Sequence, residues 1–216
     1  MALTGFDPDL VSSSIKAVQA AREELIIAIA DEMQNKFVNG MQDKWACNQA
    51  IKFFESFKNT MDSLILQSIN TFESVIQSMD SAAKAWAMQT DSVWPGVQFP
   101  IIDKKIDVSM IKENIAGVRG VDPEAKAVSS NLTTIATSAN IALSNAQSAV
   151  QTCGFIGGGS AEQLISSLGK IKTSIDEAVT QISEACKAAI ESTTQEYTNL
   201  EVKVSDAFAG TQAGAN

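Results

Sequence analysis

The stretch FESFKNTMDSLILQSINTFESVIQSMDSAAKAW, residues 54–86, decides the fold. Phe54, Phe57, Met61, Leu64, Ser68, Phe72, Val75, Met79, Ala83 and Trp86 recur in steps of three and four. That spacing returns to one face of an α-helix and makes a heptad seam. Carried from a cap at Asn48 to about Gln89, it predicts a helix of about 63 Å at 1.5 Å per residue. Such a rod has one apolar face, which other rods must cover.

The rest of the chain supplies those rods. Asp7-Pro8-Asp9 offers an N-cap with proline just inside a helix start, and Leu10, Ile15, Val18, Leu25, Ile29, Met33 and Phe37 follow at helical spacing. This predicts a first helix over 8–39, stopped by Gly40, with Trp45 and Cys47 in the turn. Trp94-Pro95-Gly96 and Phe99-Pro100 break the pattern between 89 and 108 and favour an extended crossing. Its Trp94, Phe99, Ile101 and Ile102 are too apolar for a free linker, so the segment is expected to pack along the bundle. Asp107 or Ser109 could cap a short helix ending near Gly117 to Gly120. Asp122-Pro123-Glu124 then opens a third long helix with the stripe Val128, Leu132, Ile135, Ala139, Ala142 and Ala146. After Gly154 and Gly157-Gly158-Gly159, Ser160 with Gln163 has the spacing of a capping box. The last helix carries a seam running from Leu164 through Cys186 and Thr193 to Tyr197, Leu200 and Val204. The fold expected is all-α, an elongated antiparallel four-helix bundle built from two hairpins. The first hairpin occupies residues 1–90, a proline-containing linker 91–108, and the second hairpin 109–216.

Composition narrows the function. With 216 residues, 45% hydrophobic, the chain can bury a sizeable core. A formal charge of −9 and a pI near 4.5 argue against nucleic acid or an anionic membrane as partner, because both reward Lys/Arg patches. The N-terminal Met1-Ala2-Leu3-Thr4-Gly5 has no basic or apolar region of a Sec-type signal peptide. The longest apolar run, Leu25 to Ala30, is too short to span a bilayer, so no stable membrane insertion is expected. The chain has no histidine, and Cys47, Cys153 and Cys186 show no CxxC spacing. Zinc sites and histidine-dependent nucleophiles are thereby disfavoured, and no cofactor and no enzymatic activity are expected. Asp31-Glu32 and Asp176-Glu177 read as surface helix charges. Gly157-Gly158-Gly159-Ser160 lacks the lysine and the preceding strand of a phosphate-binding loop.

Two hairpins, a turn at Trp45-Ala46-Cys47, a second at Phe155-Ile156-Gly157, and a late Tyr197-Thr198-Asn199-Leu200-Glu201 together resemble a tandem copy of the WXG proteins exported by type VII secretion systems. Proteins of that family are helical hairpins with a Trp-Xaa-Gly turn that pair side by side, one partner's turn meeting the other's Tyr-x-x-x-Asp/Glu. Here Cys47 replaces the turn glycine and Phe155 the second tryptophan, and Ala87 stands where the first copy would carry Tyr197. Each copy keeps the half that the other lacks. The resemblance implies a non-enzymatic substrate or targeting partner of a type VII-like machine, with Trp45, Cys47, Phe155, Gly157, Tyr197 and Glu201 as recognition residues. It implies a secretion ATPase or other secretion component as partner, possible co-secretion with an effector, and export without a cleavable signal peptide. If the hairpins pack antiparallel, Trp45 comes near Tyr197 and Glu201 within one monomer. The structural alternative makes Trp45 a plug at the bundle end, Tyr197 a core residue and Glu201 a solvated acid. The functional alternative is an amphipathic protein, coating an apolar surface or forming pores through the 54–86 seam.

Overall fold

The computed structural model describes residues 7–153 and 158–213, with side chains for 7–153 and 160–205. Helix α1 (Pro8–Ile26) starts as its sequence dictates: the Asp7 carboxylate accepts the backbone N–H groups of Asp9 and Leu10 at 3.0 and 3.1 Å, and Pro8 follows it. The rod continues without interruption as a π-helical stretch, Ile27–Val38, and closes in α2 (Asn39–Met41). Leu25, Ile29, Met33, Phe37 and Met41 lie four residues apart and are all buried. In an α-helix each step of four overshoots a turn by roughly 40°, which would carry Met41 off the face. The wider turn of the π form rotates the row the opposite way and offsets that drift. Gly40 therefore does not stop the helix. It lies inside it, and an added Cβ would come within 2.9 Å of Val128, so glycine serves here for close approach.

Helix α3 (Asn48–Gln89) is 42 residues long and buries nine of the ten seam positions, Trp86 being half-buried. Cys47 and not Asn48 is its N-cap, in extended backbone without a side-chain cap. The second hairpin begins at Asp122, whose carboxylate accepts the Glu124 N–H at 2.7 Å. The helix expected from there is divided into α4 (Ala125–Ser129) and α5 (Asn131–Thr152). Helix α6 (Gly158–Ala213) opens two residues before the predicted cap Ser160. The fold is all-α: most of the described residues are helical, and the named strands among them are two pairs of residues, β1 (Trp45–Ala46) and β2 (Gly120–Val121).

The long rods pack in a ring, α1 against α5, α5 against α6, α6 against α3 and α3 against α1. Side-chain bonds show that adjacent rods run in opposite directions. Arg22 meets Glu73, Asn131 meets the Lys36 carbonyl while Cys153 meets Ser14, Asn140 meets Asp176 while Gln147 meets Ile165, and Gln49 meets Glu196. One core cluster draws on all four rods.

Residues 90–119, with β2, form a strap that ends where Asp122 opens the second hairpin. Its contacts climb α1 and descend α3 in strict order. The Trp94 indole N–H donates to Asp80, the Gln98 carbonyl accepts from Gln19, and the Pro100 carbonyl accepts from Arg22. Lys104 then pairs with Asp31, the Ile106 N–H donates to Asp62, and Asp107 exchanges two bonds with the Gln34 amide. The strap is longer than the linker expected at 91–108. The short helix expected after Asp107 does not form: the Asp107 carboxylate accepts the Ser109 N–H, which holds that carboxyl below its ordinary range and closes a turn. Trp94, Phe99 and Ile102 pack on the core as expected, but Ile101 is 95% exposed.

The three thiols are free and buried. Burial pushes Cys153 up to about 11, against a hydrogen bond with Ser14, and Cys186 up to about 12. No helix among the described residues is long and apolar enough to cross a membrane.

Two predictions follow from this packing. Phe72→Ala should cost about 3 to 5 kcal/mol in urea unfolding, and Leu66→Ala, 59% exposed, within about 0.5 kcal/mol. A Phe72→Ala variant that unfolds like its parent would mean an uncovered seam. All three thiols should resist an aromatic disulfide reagent in the native protein and react after unfolding without reductant. Because Cys153 and Cys186 hold their protons to higher pH in the folded protein than in the unfolded chain, stability should fall as pH rises from about 9 toward 12. Cys186→Ala should lessen that fall.

Candidate functional site

The first turn is built by two short backbone bonds, Gln42 and Lys44 N–H donating to the Asn39 and Met41 carbonyls. It then extends into β1, which pairs antiparallel with β2 of the strap, Trp45 opposite Val121 and Ala46 opposite Gly120. The Asp122 N–H donates to the Lys44 carbonyl at 2.6 Å and extends the pairing. Just before β2, Ile115 and Val118 exchange backbone bonds at 2.8 and 2.9 Å around Ala116 and Gly117, both at positive φ. Two central residues of that conformation make the tight reversal of a hairpin.

Successive strand residues face opposite ways. Trp45 faces inward and is fully buried, its ring centroid 5.5 Å from Phe53 and 6.1 Å from Phe54. Phe37 and Phe57 complete this aromatic cluster. Among the described residues the indole N–H has no hydrogen-bond partner. Ala46, itself buried, lies on the other side, at the base of an open groove of about 520 Å³. Asp43, Lys44 and Ala46 of the first turn form one wall, Ile115, Val118, Arg119 and β2 another, and Thr194, Tyr197, Thr198 and Glu201 of α6 the third. The α6 seam is buried as far as Thr193 and emerges at this level, Leu200 and Val204 being about half exposed.

Tyr197 and Glu201 are thus one helical turn apart on a single groove wall. Partial burial raises the Tyr197 phenol above its ordinary value, nearby Cys47 and Glu196 raise it further, and Arg119 opposes them. Lys44 is held in its charged form by Glu124, which raises its pKa, and Arg119 pairs with Glu113 at 2.5 Å. Among the described residues Asp43, Asp122 and Glu201 have no ion-pair partner.

Of the residues singled out from the sequence, Trp45, Cys47, Tyr197 and Glu201 gather at this end. Trp45 and Cys47 lie behind the surface, so the indole shapes the groove and is not itself presented. Phe155 and Gly157 fall outside the described residues. The strap's contribution, Ile115, Val118, Arg119 and β2, has no counterpart in the sequence reading. Its trace there is faint: Ile115, Val118 and Val121 interleaved with Gly117 and Gly120. No family model, curated protein or solved structure matches the chain.

Trp45 can be probed by size and polarity separately. Trp45→Phe removes an unsatisfied buried donor and keeps an aromatic ring, so it should cost less than about 1.5 kcal/mol. Trp45→Ala leaves a large cavity and should cost about 3 to 5 kcal/mol. Equal losses in chemical denaturation would contradict this placement of the indole.

Proposed function

We propose that this protein is a non-enzymatic substrate or targeting partner of a type VII-like secretion system, acting as a monomer and displaying its recognition signal in one chain. The observation that carries this reading is the meeting of the Trp45 turn with Tyr197 and Glu201 at one end of the bundle. In the resembling family two chains bring these halves together; here the strap and the antiparallel packing do so. Recognition runs through the groove and the emerging α6 face, with Trp45 holding the turn from behind. The partner is the secretion ATPase or another secretion component, and an effector can travel with the protein. A surface-coating role has no comparable support, since Phe54, Phe57, Met61 and Phe72 are already covered by the other rods.

Glu201→Ala is the cleanest test, because an exposed late-helix acid contributes within about 0.5 kcal/mol to stability. Export from the native host should be abolished by Glu201→Ala and by Tyr197→Ala, with folded protein accumulating inside the cell. Combining Tyr197→Ala with Trp45→Phe should lower export no further than the worse single change, since the residues act as one signal. Normal secretion of a folded Tyr197→Ala/Glu201→Ala protein would refute the proposal.

A further inference from the structure

The groove carries an unbalanced charge on an apolar base. Its two cations are already engaged by acids outside the lining, Lys44 by Glu124 and Arg119 by Glu113. Among the described residues Asp43, Asp122 and Glu201 form no ion pair of their own, though the Lys44 charge also acts on Asp122 and Asp43, and these seven groups sum to −3 around Ala46, Ile115, Val118 and Val121. Asp122 spends one carboxylate oxygen on the Glu124 N–H, and its charge is not cancelled by that bond. Gly120 lies in the groove with open space where a Cβ would stand, so this face of β2 is uncovered, while one edge of the strand is taken by β1. Tyr197 adds an aromatic ring one turn from the Glu201 carboxylate.

Apolar walls, an uncovered strand face and an excess of carboxylates beside an aromatic ring match an extended polypeptide segment that alternates apolar side chains with arginine. From this we infer that the groove docks an arginine-bearing extended segment of a partner protein, the guanidinium lying between the Tyr197 ring and the Glu201 and Asp122 carboxylates. An aromatic face attracts a guanidinium, and carboxylates accept from its planar fork. Main-chain pairing along a strand gives affinity, and side chains on alternate positions give selection. The strap, not the hairpins, makes this site: without Ile115 to Asp122 the groove would have two walls. The inference rests on reading this groove as a recognition surface, and it names the partner's chemistry there.

Tyr197 is the only tyrosine in the chain, so ring-labelled tyrosine gives NMR signals from this site alone. The purified protein would be titrated with a capped peptide alternating leucine and arginine, and with the same peptide carrying glutamate for arginine, at low and at physiological salt. The arginine peptide should move the Tyr197 signals saturably and the glutamate peptide should not. Exposed charge pairs are individually weak, so Asp122→Asn/Glu201→Gln should weaken binding about fivefold at low salt and less at physiological salt. Unmoved Tyr197 signals, equal response to the glutamate peptide, or equal binding by the double variant would overturn the inference. Peptide binding with no export defect in Glu201→Ala would instead remove the secretion reading and leave this one intact.

Discussion

The guanidinium of Arg22, 1% exposed between α1 and α3, holds the Glu73 carboxylate at 2.6 Å and the Pro100 carbonyl at 3.1 Å. A buried charge is costly unless paired and hydrogen-bonded, so this one site fixes three segments at once. It sets the level at which α1 crosses α3, and it fastens the strap between them. The strap's further contacts follow from that alignment, with Asp31, Asp62 and Gln34 each meeting it farther along. Removing the Glu73 partner would leave a buried cation against a carbonyl alone, a loss of about 3 to 5 kcal/mol by the usual measure of broken buried pairs.

What the strap accomplishes is directional. A short loop after α3 would start the second hairpin at the end where the first hairpin's chain begins. The strap instead returns the chain along the whole rod, so that α5 starts beside the first turn and α6 passes it at Thr194 to Glu201. The first turn, the strap's own hairpin and the emerging α6 seam therefore meet at one end. The β1–β2 pair is small, but it is where the strap is tied to the turn, and its alternation decides that Ala46 faces the groove and Trp45 the core.

The sequence made the long elements readable because each has a periodic apolar row. The seam positions from Phe54 to Ala83 and from Leu168 to Thr193 are buried as their spacing marks, Ala189 being half-buried. The link at Trp94-Pro95-Gly96 was equally plain, because proline and glycine act locally. The strap's path was not, since it depends on side chains such as Gln19, Gln34 and Asp62 bonding to main-chain groups more than forty residues away. No periodicity records such bonds. The β1–β2 pairing was hidden for a similar reason, two residues each being too short to alternate visibly. The π-helical stretch had a signal in the fourfold spacing of Leu25, Ile29, Met33, Phe37 and Met41. Half of the groove was legible in Tyr197 and Glu201; the other half depends on a strap that only the fold reveals.

The central claim is that the first turn and the Tyr197–Glu201 turn of α6 form one site, and a distance between them tests it most directly. Spin labels would be placed on cysteines at the exposed positions Asp43 and Thr198, the three native thiols being buried. Pulsed electron paramagnetic resonance on the monomer should give one narrow distribution at short distance, as expected for two walls of one groove. A distribution centred near the length of a 42-residue rod, about 60 Å, would place the two turns at opposite ends and contradict the account.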